Sequence, residues 1–499
     1  MGRRHSSKKI RLELLLLITL TLALPLLTAL PSTVFAAVQP QVTISPSSGW
    51  SDSLLEIQGM NFSPNTQVKI SIESLSSWGA TIATNTQGSF DYWFNVPDGL
   101  NAGAYSVKAE DTNGNEASAT FTLNAVFVSA GAWGGSFGIK TQKEIVQWTY
   151  DNSSIYCDTW KFYHNSQNNW YNVMAGSFGL YILRLNYNGV TYIFDLANGK
   201  YNSQPQPLKE KVIGFAVKSP TQVEGTILIY DPSGSVLLAT ITMDIYAPVM
   251  PQNDYGVVLK ITPEANLNDV SLYAAYDLNV NQALNNWAIY DQGLDTVYQY
   301  YGPSAGFPIP EQQKGYAGFG SVLPASTHHD VEIDYIKLLA LTSYLREYNY
   351  DLRDRDQVYG DSYVNCGIAM QWDIGTANAE ATYTIPIAYA ASDESLENFK
   401  ANLGKGKLLA YQNQPSSPQV ALSSSEGPGS SIMSINGQGF IPYSPVDLTF
   451  GGLSVGSFKA NTTGAFEGKF IVPTSVTGNY TVAATDNYGL KANVTFKVV

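Results

Sequence analysis

The chain repeats itself at its two ends, and that repeat restricts the fold more than any other feature. Ile57-Gln58-Gly59-Met60-Asn61-Phe62-Ser63-Pro64 returns as Ile435-Asn436-Gly437-Gln438-Gly439-Phe440-Ile441-Pro442. Gly88-Ser89-Phe90, followed by Phe94 and Pro97, returns as Gly464-Ala465-Phe466, followed by Phe470 and Pro473. Gly103, Tyr105, Val107, Ala109, Asp111 and Gly114 match Gly478, Tyr480, Val482, Ala484, Asp486 and Gly489. Agreement at so many ordered positions means two copies of one module. Phe90, Phe94, Tyr105 and Val107 alternate as the inner face of a β-sandwich requires, and the glycines permit tight turns between strands. The copies occupy residues 38–124 and 413–499. Asp111 and Asp486 sit in Asp-x-x-Gly turns, which are read as turns and not as calcium sites.

At 499 residues the chain has room for two to four domains. The stretch between the copies, residues 126–411, is rich in strand-like runs such as YILRLNYNGVTYIFDL, VEGTILIYD and YGVVLKITPE. It is too long for one small sandwich and reads as a large antiparallel assembly. Near its end, Ile368, Met370 and Trp372 alternate with polar or small residues, and Tyr383, Ile385, Ile387 and Tyr389 do so again. This predicts an antiparallel hairpin with one face in a core. Leu396, Phe399 and Leu403 fall on one face of a short helix for which Ser392 is the expected cap. A second helix is expected within Val331–Leu352, where Ile333, Ile336, Leu339, Ala340 and Tyr344 recur at helical spacing. The expected fold class is all-β: two sandwich modules flanking a large antiparallel assembly with one or two short helices.

Two family resemblances attach to these residues. The pattern running from xPSSG through IxGxxFxP to GxYxVxAxDxxGN resembles the IPT/TIG-like immunoglobulin-like repeats of surface and secreted proteins. That resemblance implies spacer or adhesive modules. In the middle, Asn253-Asp254-Tyr255-Gly256-Val257, then Tyr276-Asp277-Leu278-Asn279-Val280, then Tyr290-Asp291 with Val297-Tyr298-Gln299-Tyr300, then GIAMQWDIG and its helix resemble the β-supersandwich of prokaryotic glucoamylases and glucodextranases. In that family the supersandwich precedes a catalytic α/α toroid. Here an immunoglobulin-like module follows it instead, so no catalytic acid or base carries over.

The first 36 residues read as a secretory signal peptide: Arg3, Arg4, Lys8, Lys9 and Arg11, an apolar run from Leu14 to Leu30, and small residues at Val34-Phe35-Ala36. The rival is an uncleaved anchor, the only membrane contact the sequence offers. Removal leaves 23 basic and 40 acidic residues, a net charge of about −17. Such a surface repels nucleic acid and anionic lipid. Only 14% of the residues are charged, and the 32 tyrosines and abundant threonines suit exposed β-surfaces of exported proteins. Cys157 and Cys366 are the only cysteines, and in an oxidising compartment they are the disulfide candidate. Asn61, Asn152, Asn461, Asn479 and Asn493 stand in glycosylation sequons.

Chemistry-bearing constellations are few. His328-His329-Asp330 with Glu332 and Asp334 has metal-ligand residue types. Adjacent histidines on a strand point apart, however, and the usual zinc spacings are absent, so no metal is assigned. Asp351, Asp354 and Asp356, interleaved with Arg353 and Arg355, offer a carboxylate pair for glycoside hydrolysis. Alternating charges in a loop more often neutralise one another. No nucleophile elbow, zinc-protease motif or phosphate loop is present, and no cofactor is expected. Aromatic residues are the remaining candidates, because their faces stack on sugar rings. They crowd residues 148–171 and 287–301, with Trp160, Trp170, Tyr171, Trp287 and Tyr298 foremost. The expected function is that of a secreted or cell-surface, non-catalytic protein of envelope structure, adhesion or surface-layer assembly. Its partners would be envelope components, polysaccharide or other surface proteins. The alternatives are a secreted polysaccharide-binding protein and, behind it, a divergent polysaccharide-degrading enzyme.

Overall fold

A computed structural model describes residues 38–499 apart from 52, 73–78, 98–99, 132–133, 142, 152–153, 165–168, 196–199, 202–209, 279–285, 302–314, 335–344, 346–350, 359–365, 412–416, 443, 462 and 474–475. The expected signal peptide therefore lies outside the described residues. The chain is all-β, with one helix among the described residues.

Each repeat copy is a two-sheet sandwich of one topology. In the first, a three-stranded sheet (Gln41–Ser45, Leu54–Met60, Phe90–Asn95) faces a five-stranded one, and the second copy builds the same pair. Matching strands bury matching positions. Leu54–Met60 and Ile432–Gln438 share one pattern of burial, Gln67–Ile72 and Pro445–Phe450 another, and Phe90–Asn95 and Phe466–Ile471 a third. The alternation in the sequence is thus the alternation of the cores, Leu55, Ile57, Val68 and Ile70 in one and Met433, Ile435, Val446 and Leu448 in the other.

Between the copies lie an 11-stranded and a 9-stranded antiparallel sheet, packed face to face over one large core. The first runs from the edge strand His328–Asp334 through Cys366–Ala377, Leu267–Leu278 and Met174–Tyr187 to Ile155–His164, Glu144–Asp151, Gly134–Lys140 and Val126–Gly131. The second has Leu237–Tyr246, Asp254–Pro263, Tyr383–Ser392 and Tyr316–Ser321 at its centre. A hydroxyl pair, Tyr181 and Tyr389 at 2.6 Å, joins the sheets inside the apolar core.

The expected hairpin is not one. Cys366–Ala377 pairs with Leu267–Leu278 and His328–Asp334, whereas Tyr383–Ser392 pairs with Asp254–Pro263 and Tyr316–Ser321 in the other sheet. Alternation reported one buried face of each strand correctly. It said nothing of the second face, which is also covered. Ala369 packs with Ile182, Tyr273, Leu345 and Leu352 outside one sheet, and Ala388 and Ala390 pack under the helix outside the other. Strands buried on both faces are free to separate into facing layers, which lie about 10 Å apart.

The helix is Leu396–Tyr411, and Ser395 caps it rather than Ser392. Asn398 N donates to Ser395 Oγ at 3.1 Å, while Ser392 Oγ accepts from Glu394 N at 3.3 Å in the preceding turn. Phe399, Leu403 and Ala410 face the sheet. Gly406 lets the backbones touch: a Cβ there would lie 2.9 Å from Tyr389 O and 3.0 Å from Tyr255 O. The second expected helix fails at its start, because Val331–Asp334 belongs to the edge strand. Leu345 is helical and buried, and residues 335–344 and 346–350 are outside the described residues.

The second repeat copy docks on the outer side of the helix. Ile441 is fully buried there, Tyr488 and Leu490 join the same cluster, and Tyr411 donates its hydroxyl to Gly439 O. The first copy meets the central sheets by its opposite end, where Ala102 N bonds Val249 O at 2.9 Å, Ala125 N bonds Pro220 O at 2.7 Å and Trp50 packs on Phe127.

Candidate functional site

At the edge strand His328–Asp334 the two constellations of the sequence meet. Residues 351–356 run alongside that strand, with a parallel bridge between Asp330 and Arg355. Adjacent strand residues face opposite ways, so the two imidazoles diverge, yet both find this loop. His328 Nδ1 lies 2.9 Å from Asp354 Oδ2, and His329 Nε2 lies 2.6 Å from Asp356 Oδ1. Asp354 also accepts the backbone N–H of His329 at 3.1 Å, and the His329 ring stacks on Tyr290 at 3.5 Å. Between them Asp330, wholly buried, receives Arg353 Nε at 3.3 Å and Arg355 Nη2 at 2.8 Å.

A third shell of polar groups comes from the neighbouring strands. Asp373 Oδ2 is 3.7 Å from His328 Nε2, and Asp373 Oδ1 accepts from Ser271 Oγ at 2.6 Å and from Gln371 Nε2 at 2.8 Å. Gln371 Nε2 also donates to Asp351 Oδ1 at 3.0 Å. Burial works to raise the Asp373 carboxyl, but bonds from Ser271, Gln371 and Thr327 and the charge of His328 outweigh it and hold the group below its ordinary value.

His328, Asp351 and Asp373 bring one ligand atom each within 4.8 Å of one another, a set that suits a divalent cation. The Gln371 amide protons already answer both carboxylates, so the charge is partly satisfied without an ion. Sequence reasoning named the histidines and the loop aspartates but kept them apart, and it missed Asp373, Gln371 and Ser271. Those three sit on strands that alternation marks only as core.

The aromatic candidates divide. Trp160 is 1% exposed, donates Nε1 to Glu144 Oε1 at 2.9 Å and packs edge-on to Tyr255 and Tyr389, so its faces are closed to a ligand. Tyr298 is 4% exposed and lies under the helix against Phe399. Both are corrections: these rings were needed for the core, as large aromatics usually are. Trp170 is half-buried, edge-on to Tyr163 at 5.5 Å, and Trp287 is half-buried beside Tyr300 at 5.8 Å. Tyr171 lies in the strand Asn169–Asn172, and its side chain is outside the described residues.

The disulfide is also corrected. Cys157 is a buried free thiol, pushed well above its ordinary pKa by burial. Its strand and that of Cys366 are separated in the sheet by Met174–Tyr187 and Leu267–Leu278. Three strand spacings amount to about 14 Å, twice the Cα separation a disulfide spans. Of the sequons, Asn61, Asn461, Asn479 and Asn493 are exposed, while Asn152 is outside the described residues. Asn61 Nδ2 contacts Gln39 O at 3.3 Å.

No family model matches the chain, and no curated protein matches its sequence. Among solved structures it is similar to a polysaccharide lyase at 11% identity and TM-score 0.33, over 72% of this chain and 47% of the lyase. The chain thus spans about half the length of that lyase. A GalM/aldose epimerase homologue from C. elegans aligns over 54% of this chain and 99% of its own, at 9% identity and TM-score 0.30. A tetra-tandem repeat from the extending region of a large adhesion protein aligns over 92% of this chain and 99% of its own, at 14% identity and TM-score 0.16. Likeness this loose says nothing of activity.

Proposed function

We propose that this chain is a non-catalytic, exported β protein of the cell surface, built as IPT/TIG-like module, supersandwich and IPT/TIG-like module, whose central part contacts carbohydrate. The observation that carries the non-catalytic reading is the state of the His/Asp corner. There His328, His329, Asp330, Asp354, Asp356 and Asp373 are each bonded to another group of the corner. A general acid or base must present its proton to a substrate. Here the imidazoles and carboxylates are turned to one another, and the cluster ties the loop at 351–356 to the edge of the sheet. The corner serves as a clasp. Export follows from residues 1–36, and glycans on Asn461, Asn479 and Asn493 would coat the exposed side of the second module. The half-buried pairs Tyr163–Trp170 and Trp287–Tyr300 support the sugar contact.

The test pairs two assays on the full chain. Incubation with soluble α- and β-glucans and with uronate polymers is expected to release neither reducing ends nor unsaturated products. Affinity electrophoresis in the same polymers is expected to retard the protein. Turnover abolished by Asp354→Asn would overturn the non-catalytic reading, and no retardation in any polymer would overturn the sugar contact.

A further inference from the structure

A cleft of about 260 Å³ opens where Gln252 and Asn253, the turn at Ser392–Glu394 and the helix residues Asn398 and Lys405 meet, with Lys143 completing the lining. Asn253 is 9% exposed, and its Oδ1 has no hydrogen-bond partner among the described residues. Leaving a buried acceptor unpaired costs about 1–3 kcal/mol. The next residue, Asp254, is wholly buried with both carboxylate oxygens in the same condition. Burial pushes its carboxyl up to about 7, against the opposing charge of Lys405. Glu144 Oε2, which interacts electrostatically with Asp254, is another buried acceptor with no partner among the described residues.

The donors of the cleft are partly engaged: Asn402 Nδ2 bonds Ala391 O at 3.0 Å, Asn398 Nδ2 bonds Glu394, and Lys405 Nζ bonds Gln252 Oε1 at 2.6 Å. Each of these groups carries more N–H than the one so used, so the lining suits a ligand whose groups both donate and accept, as hydroxyls do. Formal charges in the lining balance, Lys143 and Lys405 against Asp393 and Glu394, so the ligand need carry none. The volume lies at the small end of ligand sites. Lys143 also lies over the Tyr163 ring at 5.2 Å, which places the Tyr163–Trp170 pair next to the opening.

We propose that this cleft binds a neutral, hydroxyl-rich ligand, a single hexose unit of a glycan, with a ligand hydroxyl donating to Asn253 Oδ1. The inference rests on the sugar-contact reading and gives it a place distinct from the His/Asp corner. Calorimetric titration of the full chain with methyl glucoside, methyl galactoside, methyl mannoside and N-acetylglucosamine, with glucosamine and glucuronate as charged probes, tests it. At least one neutral sugar is expected to bind, each charged probe at least tenfold more weakly. Asn253→Ala removes the amide whose Oδ1 has no partner among the described residues, so it is expected to weaken binding at least tenfold, with the melting temperature measured alongside to show that the variant is folded. Asn398→Trp, on an exposed position, is expected to block the cleft without touching buried groups. Trp93→Ala, an exposed ring of the first repeat copy, is the control and is expected to change nothing. Full binding by both cleft variants, with loss in Trp287→Ala, would overturn the cleft and leave the sugar-contact reading standing. Preference for a charged probe would overturn the neutral-ligand assignment, and binding of no sugar would overturn both readings.

Discussion

The two copies of the repeated module share a core and differ at one end, and the difference explains how one is fixed in place. Ser63, Asn113 and Asn115 cluster at that end of the first copy, Asn113 Nδ2 and Asn115 Nδ2 both bonding Ser63 Oγ. The matching positions in the second copy are Ile441, Tyr488 and Leu490, and they pack on the helix side of the central sheets. Three polar-to-apolar exchanges convert a solvated tip into a docking face. Under both sits the same aspartate, 4% exposed in each copy. Asp111 accepts N–H bonds from Ser63, Asn113 and Asn115 and the Asn115 side-chain amide, and Asp486 accepts N–H bonds from Ile441, Tyr488 and Leu490. Their acidities nevertheless diverge. Burial works to raise both. At Asp111 the bonds from Asn115 and Ser63 overcome it and hold the carboxyl well below its usual range, whereas at Asp486, beneath the docked helix, burial prevails and the carboxyl is raised.

The largest effect should come from exchanging the tips. Giving the second copy the polar set, Ile441→Ser with Tyr488→Asn and Leu490→Asn, is expected to undock it at a cost of about 4 kcal/mol. Limited proteolysis should then cut between Tyr411 and Gln419, and resistance there would mean that other contacts hold the copy. The reverse exchange in the first copy is expected to leave stability nearly unchanged but to promote self-association through a new apolar patch, read by sedimentation.

A smaller effect separates the aspartates by pH. Asp111 has a depressed folded pKa, so its contribution is present above the unfolded value near 3.8 and is lost as pH falls through the depressed value. Asp486 has a raised one, so its contribution is present below 3.8 and lost as pH rises through the raised value. Asp111→Asn is therefore expected to cost about 1–2 kcal/mol at pH 7, and Asp486→Asn to cost little or to stabilise. Urea unfolding at pH 7 and at pH 3.5 checks this, and equal losses for the two variants at pH 7 would dissolve the distinction.

Lys407 marks the docked side alone. It is wholly buried against Tyr488, and burial pushes its ammonium down to about 8 despite the nearby charges of Asp295, Asp291 and Asp486. Between that value and the unfolded 10.5 the folded chain holds fewer protons, so this group makes stability rise with pH across that window. Lys407→Met should remove the rise in denaturation curves taken at pH 7.5 and 9.5. The smallest effect belongs to the clasp. Asp354→Asn is expected to lower stability by about 0.5–1 kcal/mol, and a larger loss would mean that the loop at 351–356 holds more than the sheet edge.

The modules were legible because alternating strands and turn glycines are local, and a repeat reads the same signal twice. The central sheets were legible as strands but not as partners. Alternation at Ile368–Trp372 and Tyr383–Tyr389 cannot say whether neighbours in sequence are neighbours in a sheet. The clasp was hidden for a related reason: His328 and Asp354 are each ordinary surface residues until the fold sets them side by side. Trp160 and Tyr298 misled because composition cannot distinguish a ring that fills a core from one offered to solvent. The dependence of docking on Ile441, Tyr488 and Leu490 was present in the repeat alignment, at the positions where the two copies disagree.

The passage of the chain from Ala377 to Tyr383 has a consequence for how the central part breathes. Five residues carry it from the strand beside the edge of one sheet to the central strand of the other, so the two layers are stitched there and open most easily at the margins far from it. Amide hydrogens of 367–372 and 385–391 should then be the last to exchange with deuterated water, and those of the edge strands His328–Asp334 and Glu210–Ser219 among the first. The stitch sets the longest-lived kernel of the molecule, and the sites at its rim are free to fluctuate without disturbing it.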